Sequence, residues 1–473
     1  MMTSKITLFL MLLIGICLHA QNKQLLYNFT EIPQSLMINP GGKIDFKWYT
    51  GLPLASGIYA NVGSSETSVY DLFADNGVDF NTKVRNAVYN LNSNDVQRVH
   101  QQWEVFNAGF RVGGLFRDDY ITFGFYQEID AFNYWPEDMA ILAYEGNSPN
   151  IDRPFRLDDV NVKGELLTVF HVGFHSKIND KINYGVRAKV YNSIIDFTST
   201  NNSGFFVTTE GDENFYAHTL VSDVEVNTSG YARLREDDVD GAGNVIDILK
   251  SRKFFGGNLG LGVDFGITYE PTEEWTYTAS VQDLGFVRHT KNVERYRLRG
   301  DYTLEGIELP FDDLFDSSGL TDNWQELVDA LDEAFPRDTL TSPYTTMRPV
   351  KFNAAVMHNY GDRYGNRPCD CRDNNRKLPN SVGLQLFMEK RPKRPEMAIT
   401  AFYYRRLWDF LRGKVTYTAD KFSKTNIGLG LSTHFANFNF YLLTDNLLEY
   451  QNLADANNAS IQFGLNYIFP MDN

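Results

Sequence analysis

Four clusters in this 473-residue chain have residue types and spacings that suit chemistry. His171 and His175 lie four apart, the spacing that puts two ligands on one helix face and would suit a zinc site. Their neighbours Phe170, Val172 and Phe174 alternate with polar residues, so the segment reads as a strand. Two imidazoles on one strand face would stand about 13 Å apart at roughly 3.3 Å per residue, too far for one metal ion. Asp237 to Asp247 is loosely like a calcium loop. Its fifth oxygen ligand is replaced by Ala242 and no Glu closes it, so it reads as an acidic surface turn. Cys369 and Cys371 sit in Pro-Cys-Asp-Cys-Arg. A bridge between residues two apart would be strained and reducible, and a metal would need further ligands nearby, so the pair reads as a loop feature without catalytic duty. The basic run Lys390 to Arg394, broken by Pro392 and followed by Pro395, reads as a solvated turn. A nucleophile elbow, P-loop, zinc-binding helix and dinucleotide fingerprint are all lacking. No catalytic, cofactor-binding or metal-ligating residue is therefore assigned, and an enzyme is not expected.

The elements around these residues are strands. Ile461, Phe463, Leu465, Tyr467 and Phe469 share one strand face, and Gln462, Gly464 and Asn466 the other. The same design recurs upstream. Phe106, Ala108, Phe110 and Val112 run to the turn Arg117 to Asp119, and Ile121, Phe123 and Phe125 return. Leu166, Phe170, Val172 and Phe174 precede the turn Lys177 to Lys181, and Ile182, Tyr184, Val186, Ala188 and Val190 follow it. Leu259, Leu261, Val263, Phe265, Ile267 and Tyr269 oppose Asn258, Gly260, Gly262, Asp264, Gly266 and Thr268 on one strand. Trp275, Tyr277, Ala279 and Val281 come back after a turn at Pro271 to Glu274. Between Phe205 and Asn227 strands are less distinct. From Val350 the alternation continues to the end. Strand after strand thus carries small or polar residues on one face. A dry core cannot use such a face, but a sheet with lipid outside and water or a polar plug inside can. Tight turns alternate with long connections, which is the asymmetry of an outer-membrane barrel. About fourteen strands are counted, and His171 and His175 become lumen-lining residues.

Pro53 to Val62 is the first strand candidate, and Asn81 to Gln102 reads as two short helices, the second capped by Ser93-Asn94-Asp95. Trp324, Leu327, Val328, Leu331 and Phe335 mark an amphipathic helix within Asp322 to Phe335, packed on the barrel rim or lumen. Asn39-Pro40-Gly41-Gly42 is a strong turn before any long strand, read either as a plain pre-strand turn or as a sign that the N-terminal segment tucks at or inside a barrel mouth.

Composition agrees. The 35 Phe and 26 Tyr suit an aromatic outer wall, and the net charge of −16 argues against nucleic acid as a partner. Lys5, the apolar run Ile6 to Leu18 and Ala20 before Gln21 form a signal peptide. Lipidation at Cys17 is disfavoured because the bulky Ile16 precedes it. No run of about 18 apolar residues follows, so a helical membrane protein is excluded while a barrel is not.

Ser280-Val281-Gln282-Asp283-Leu284-Gly285-Phe286, after Trp275, resembles a segment of the PorP/SprF-like outer-membrane barrels of type IX-secreting, gliding bacteria, in the branch known as a domain of unknown function. Asn426 to Leu431 and Tyr441-Leu442-Leu443-Thr444-Asp445-Asn446-Leu447-Leu448 resemble its C-terminal region, and Ile38-Asn39-Pro40 is similar to its N-terminal element. The resemblance spans nearly the whole mature chain. It implies an outer-membrane barrel of roughly fourteen strands, as in fatty-acid-channel-like folds, without implying a settled activity. The Cys369/Cys371 loop and the insertion up to Arg348 depart from it.

The expected fold class is therefore all-β: a transmembrane antiparallel β-barrel with long extracellular loops and a few short helices. Residues 1–20 are read as signal peptide and 21–473 as one barrel domain, with 21–52 at or in its mouth and 288–348 a long insertion. Expected partners are outer-membrane lipid and other envelope proteins. The leading functional expectation is a non-enzymatic accessory or anchoring subunit of an envelope complex. The alternatives are a channel for a small hydrophobic or polar solute and a soluble secreted β-rich binding protein.

Overall fold

The computed structural model describes residues 23–65, 67–113, 119–212, 215–231, 249–252, 254–305, 338–361, 378–420, 426–447 and 456–470. The signal segment, the Asp237 to Asp247 turn, the Asp322 to Phe335 helix candidate and the Cys369/Cys371 pair lie outside the described residues.

Among the described residues, twenty strands join in one sheet. They are β1 (Phe46–Gly51), β2 (Gly57–Ser64), β3 (Val96–Val112), β4 (Asp119–Tyr134), β5 (Phe155–Arg156), β6 (Asn161–Asn179), β7 (Ile182–Glu210), β8 (Tyr216–Ser229), β9 (Asn258–Tyr269) and β10 (Trp275–His289). Then follow β11 (Val293–Leu304), β12 (Asp338–Leu340), β13 (Tyr344–Met347), β14 (Lys351–Tyr360), β15 (Asn380–Glu389), β16 (Glu396–Arg406), β17 (Leu411–Ala419), β18 (Asn426–Phe435), β19 (Phe438–Asp445) and β20 (Asn458–Pro470).

Several strands share one stave of the barrel. β1 and β2 both lie between β3 and β20, and this closes the sheet on itself. β8 stands above β9 beside β7, β11 continues β10 upward, and β12 and β13 stand above β14. Counted by stave, the molecule is a closed antiparallel barrel of fourteen strands. The short connections 180–181, 270–274, 407–410 and 436–437 gather at the end where β1 starts and β20 stops. The opposite end carries the connections 390–395 and 446–457, but β14 ends and β15 begins at the short-turn end, so the 361–379 connection departs from the asymmetry expected. β7 has 29 residues, far beyond the roughly 9–11 that cross a bilayer, so with β8 and β11 it raises a wall above one side of the barrel.

Residue parity shows which medium each face meets. On β10, Trp275, Tyr277, Leu284 and Phe286 point out and are exposed, while Thr276, Thr278 and Ser280 point in and are buried. Leu261, Ile267, Val172, Leu384, Ile399 and Leu442 are likewise exposed on neighbouring staves. The exterior is apolar and the interior polar, the reverse of a soluble protein and the pattern of an outer-membrane barrel. This sets aside the soluble secreted alternative. Trp275 to Phe286 spans about 28 Å of height at roughly 3.3 Å per residue and a tilt near 40°, close to the ~25 Å apolar band of such barrels.

Three expectations change. Phe80–Asn90 is a helix capped by Asp79, but Val96 onward is strand rather than a second helix. Its inward row, Arg98, His100 and Gln102, is polar and buried, so the period-two signal carries no apolar face. The wall begins at Phe46 rather than Pro53, because Leu52 to Ala55 is only a break between two pieces of one stave. Much of 288–348 is wall, not insertion. Above the membrane β11 alternates Arg295, Arg297 and Arg299 with Tyr296 and Leu298, and no lipid demands an apolar row there.

The closing seam is aromatic. Phe469 stacks on Trp48 across it at 3.7 Å between ring centroids, and Tyr467 packs edge-on against Phe438 at 4.9 Å. Phe469→Ala removes that cross-seam pair, worth about 0.5–1.5 kcal/mol beyond area burial, and is expected to lower the amount of inserted barrel. Heat-modifiable electrophoretic migration measures this. Unchanged insertion would reduce β20 to one strand among fourteen.

Candidate functional site

The lumen is occupied. Residues 23–45 run inside the barrel from beside Gln102 down to β1, with a single 3-10 turn at Pro33–Met37. Leu25, Leu26, Tyr27, Phe29 and Ile32 pack with Tyr441 and Leu443 into one of several buried apolar clusters. A plug buries backbone polar groups that water cannot reach, so the wall must satisfy them. Lys414 donates to the carbonyls of Leu25 at 3.1 Å and Tyr27 at 2.6 Å. Arg187 donates to the carbonyl of Met37 at 2.8 Å and also to that of Leu36. Gln282 donates to the carbonyl of Ile38. Gln34 donates to Ser56 O, Glu104 and Asn466 at 2.8–2.9 Å and accepts from Asn466 at 3.0 Å.

The Asn39-Pro40-Gly41-Gly42 turn sits against the glycines of the wall. A Cβ on Gly266 would lie 2.2 Å from Asn39 Oδ1, and one on Gly185 would lie 2.0 Å from Pro40 O. His175 donates from Nδ1 to that same Pro40 carbonyl, which fixes the tautomer and leaves Nε2 to accept from Thr122 Oγ1 at 2.9 Å. His171 faces inward and is buried without a hydrogen-bond partner. The two histidines thus line the lumen as expected, and one of them holds the plug.

Across the lumen runs a chain of buried ion pairs. Asp264 joins Arg187 at 3.1 Å and Lys189 at 2.8 Å. Asp283 joins Lys189 at 2.7 Å and Lys351 at 3.2 Å, and accepts from Tyr191 at 2.9 Å. Glu128 joins Lys351 at 3.7 Å and Arg348 at 2.9 Å, and Arg348 also pairs with Glu165. A second group contains Arg98 and Arg391. Arg98 pairs with Glu389 at 2.9 Å and Glu396 at 2.8 Å, and Arg391 with Asp130 at 2.9 Å. Arg391 belongs to the run expected to be a solvated turn. It is buried instead, because the turn folds over the barrel mouth where Asp130, Glu389 and Glu396 converge. Buried charges such as these are tolerable only when paired.

The Ser280 to Phe286 segment explains its own sequence. Val281 pairs opposite Phe265 and Leu284 opposite Val263, so Gln282 and Asp283 together face Asp264 in a β-bulge. Asp283 takes a φ of +60°. The bulge turns both side chains inward, Gln282 onto the plug and Asp283 onto the cations, and Asp283 N donates to Asp264 Oδ1 at 2.8 Å. Gly285 leaves room for the Tyr191 ring. Sequence reading assigned none of these residues a role. Their signal was present as charges at inward parity on alternating strands.

Two cavities border the plug, of about 10 Å³ beside Gln34 and Glu104 and about 30 Å³ among Glu128, Lys189, Asp283 and Lys351. Each has room for only a water molecule or two. Asp283→Asn strips the carboxylate charge shared by Lys189 and Lys351 and is expected to cost about 3 kcal/mol. Urea unfolding in detergent micelles reads the shift, and an unmoved midpoint would contradict the pairing.

Comparison with known proteins returns barrels. The toluene transporter TbuX of Ralstonia pickettii is similar with a TM-score of 0.42 and 10% identity over 92% of this chain and 94% of that one. The toluene transporter TodX of Pseudomonas putida is similar with a TM-score of 0.38 and 9% identity over 92% and 93%. A FadL homologue of Pseudomonas aeruginosa is similar with a TM-score of 0.43 and 10% identity over 94% and 96%. No curated protein sequence matches. With residues 40–445 matched, from Pro40 through the bulge at Asp283 to Asp445, the chain belongs to DUF5723, a family of unknown function.

Proposed function

We propose that this outer-membrane barrel is a non-enzymatic accessory or anchoring subunit of an envelope complex, in secretion or surface-protein attachment. The observation behind the reading is the sealed lumen. Residues 23–45 occupy it, wall side chains hold their backbone, and the two cavities described beside the plug take only water. A barrel closed in this way offers its surroundings an outer surface. That surface is enlarged on one side, where β7, β8 and β11 rise above the membrane. The resemblance of the Asp283-Leu284-Gly285 and Asp445-Asn446-Leu447 segments to PorP/SprF-like proteins supports a place in type IX-associated machinery. Affinity purification from detergent-solubilised outer membranes is expected to recover at least one further envelope protein in stoichiometric amount. Recovery of this chain alone would contradict the reading.

A second reading, a channel for a small hydrophobic or polar solute, has one observation in its favour. Leu25 to Ile32 of the plug pack apolar side chains against Tyr441 and Leu443 beside the hydrogen bonds from Lys414, whereas Gln34 to Pro40 are held by Gln34, Arg187, Gln282 and His175. Apolar contacts have no fixed partners and can be exchanged for another hydrophobe. On this reading wild-type protein in a planar bilayer is closed, and Gly266→Val, which collides with Asn39, raises its conductance. A displaced segment, shown by tryptic cleavage after Lys43, with no rise in conductance would remove the channel reading.

A further inference from the structure

We infer that the barrel wall carries a calcium site at the mouth end of β17 to β20, centred on Asp445. Asp445 and Asn446 belong to one of the segments that stand out in the sequence, and neither the plug nor the chain of ion pairs accounts for them.

Asp445 is 3% exposed, and no Lys or Arg pairs with it among the described residues. Glu128, Asp130, Asp264, Asp283 and Glu389, buried like it, each face a Lys or Arg. Asp445 Oδ2 accepts from Ser460 Oγ at 2.8 Å, while Oδ1 accepts from no group. A carboxylate buried without a counter-charge is costly, so this position needs a cation or a proton. Lys414, two residues below Thr416 on the same inward row of β17, is taken up by the plug carbonyls of Leu25 and Tyr27.

Three further oxygens decide between cation and proton. Thr416 Oγ1, Asn446 Oδ1 and Asn458 Oδ1 have no hydrogen-bond partner, and their residues are fully buried. Strand pairing brings them side by side, with Thr416 opposite Gly428 and Asp445 opposite Ser460, two residues after Asn458. A Cβ on Gly428 would lie 2.4 Å from Thr416 Oγ1 and 2.5 Å from Asp445 Oδ1, so both oxygens crowd one point above that glycine. Asn446 takes a φ of +60°, which Asn tolerates. Its N–H donates to Asn426 Oδ1 at 2.7 Å and its Nδ2 to Asn458 O at 2.5 Å, which lays its side chain against Asn458 instead of outside the wall.

A proton on Asp445 would satisfy one of these oxygens, whereas a metal ion satisfies all of them. The donors are a carboxylate, two amides and a hydroxyl, the set of a hard cation. Calcium takes about 6–8 oxygens at roughly 2.3–2.6 Å in flexible geometry, whereas magnesium demands a near-ideal octahedron. Waters of the calcium shell accept from Asn426 Nδ2 and Asn458 Nδ2, which are likewise buried and unpartnered. Asp420, just past the end of β17, adds a second negative charge acting on Asp445, which favours a divalent ion over a monovalent one. With so few charged ligands the dissociation constant is on the order of 10⁻⁴–10⁻³ M.

The test uses full-length protein in detergent, stripped with EDTA, dialysed and titrated with calcium chloride at fixed ionic strength. The thermal unfolding midpoint is expected to rise with calcium and not with sodium, and magnesium to act at least tenfold more weakly. In equilibrium dialysis with calcium-45, wild type retains one ion per chain more than Asp445→Asn. Asn458→Asp adds a carboxylate ligand and tightens binding at least tenfold, while Asn458→Leu weakens it at least tenfold. Equal calcium retention by wild type and Asp445→Asn overturns the proposal and leaves Asp445 a protonated acid. Stabilisation reproduced by sodium, or unchanged affinity in Asn458→Asp, overturns it as well. Heat-modifiable migration verifies that each variant is folded.

Discussion

Charge buried inside a closed barrel has to be neutralised where it stands, and much of this structure follows from how the lumen achieves that. Lipid outside forces apolar residues outward, so alternation delivers the polar ones inward. Arg98, Glu128, Asp130, Arg187, Lys189, Asp264, Asp283, Arg348, Lys351, Glu389 and Arg391 come from β3, β4, β7, β9, β10, β14, β15 and the turns beside them. Several pairs tie together staves distant in sequence, as Arg98 ties β3 to β15 and β16. The ion pairs do for this interior what apolar packing does for a soluble core, although a buried pair stabilises less than it specifies.

The N-terminal segment completes that interior. It adds apolar side chains where the wall offers Tyr441 and Leu443, and it presents backbone carbonyls to Lys414, Arg187 and Gln282. The bulge at Gln282 and Asp283 joins the two systems, since adjacent side chains serve the plug and the ion-pair chain. A bulge is a device for re-aiming side chains. Here it places two inward residues where strict alternation would supply one.

Much of the fold was legible because lipid leaves a regular mark. Ile461 to Phe469, Leu259 to Tyr269 and Trp275 to Val281 alternate cleanly, and they are strands of the barrel. The mark fades where lipid stops. Val96 to Gln102 and Val293 to Leu304 rise toward or beyond the mouth, carry polar residues on both faces, and were read as helix and insertion. The plug was legible only as a turn, Asn39 to Gly42, because its remaining contacts depend on residues hundreds of positions away, such as Asn466 on Gln34. The ionic lumen was hidden for a related reason. Periodicity assigns a charge to a face but does not name its partner across a barrel.

The sealed lumen is the central claim, and solvent access to the plug tests it most directly. Leu26 is 1% exposed and packs in the plug's apolar cluster inside the barrel. In a chain with Cys369 and Cys371 replaced by Ser, a Leu26→Cys variant would be treated on intact cells with a membrane-impermeant maleimide. A sealed lumen leaves position 26 unmodified until the barrel is denatured, while a cysteine at the exposed Phe435 beside a turn reacts readily once the outer membrane is permeabilised. Modification of position 26 at a rate comparable to that exposed position would contradict the account.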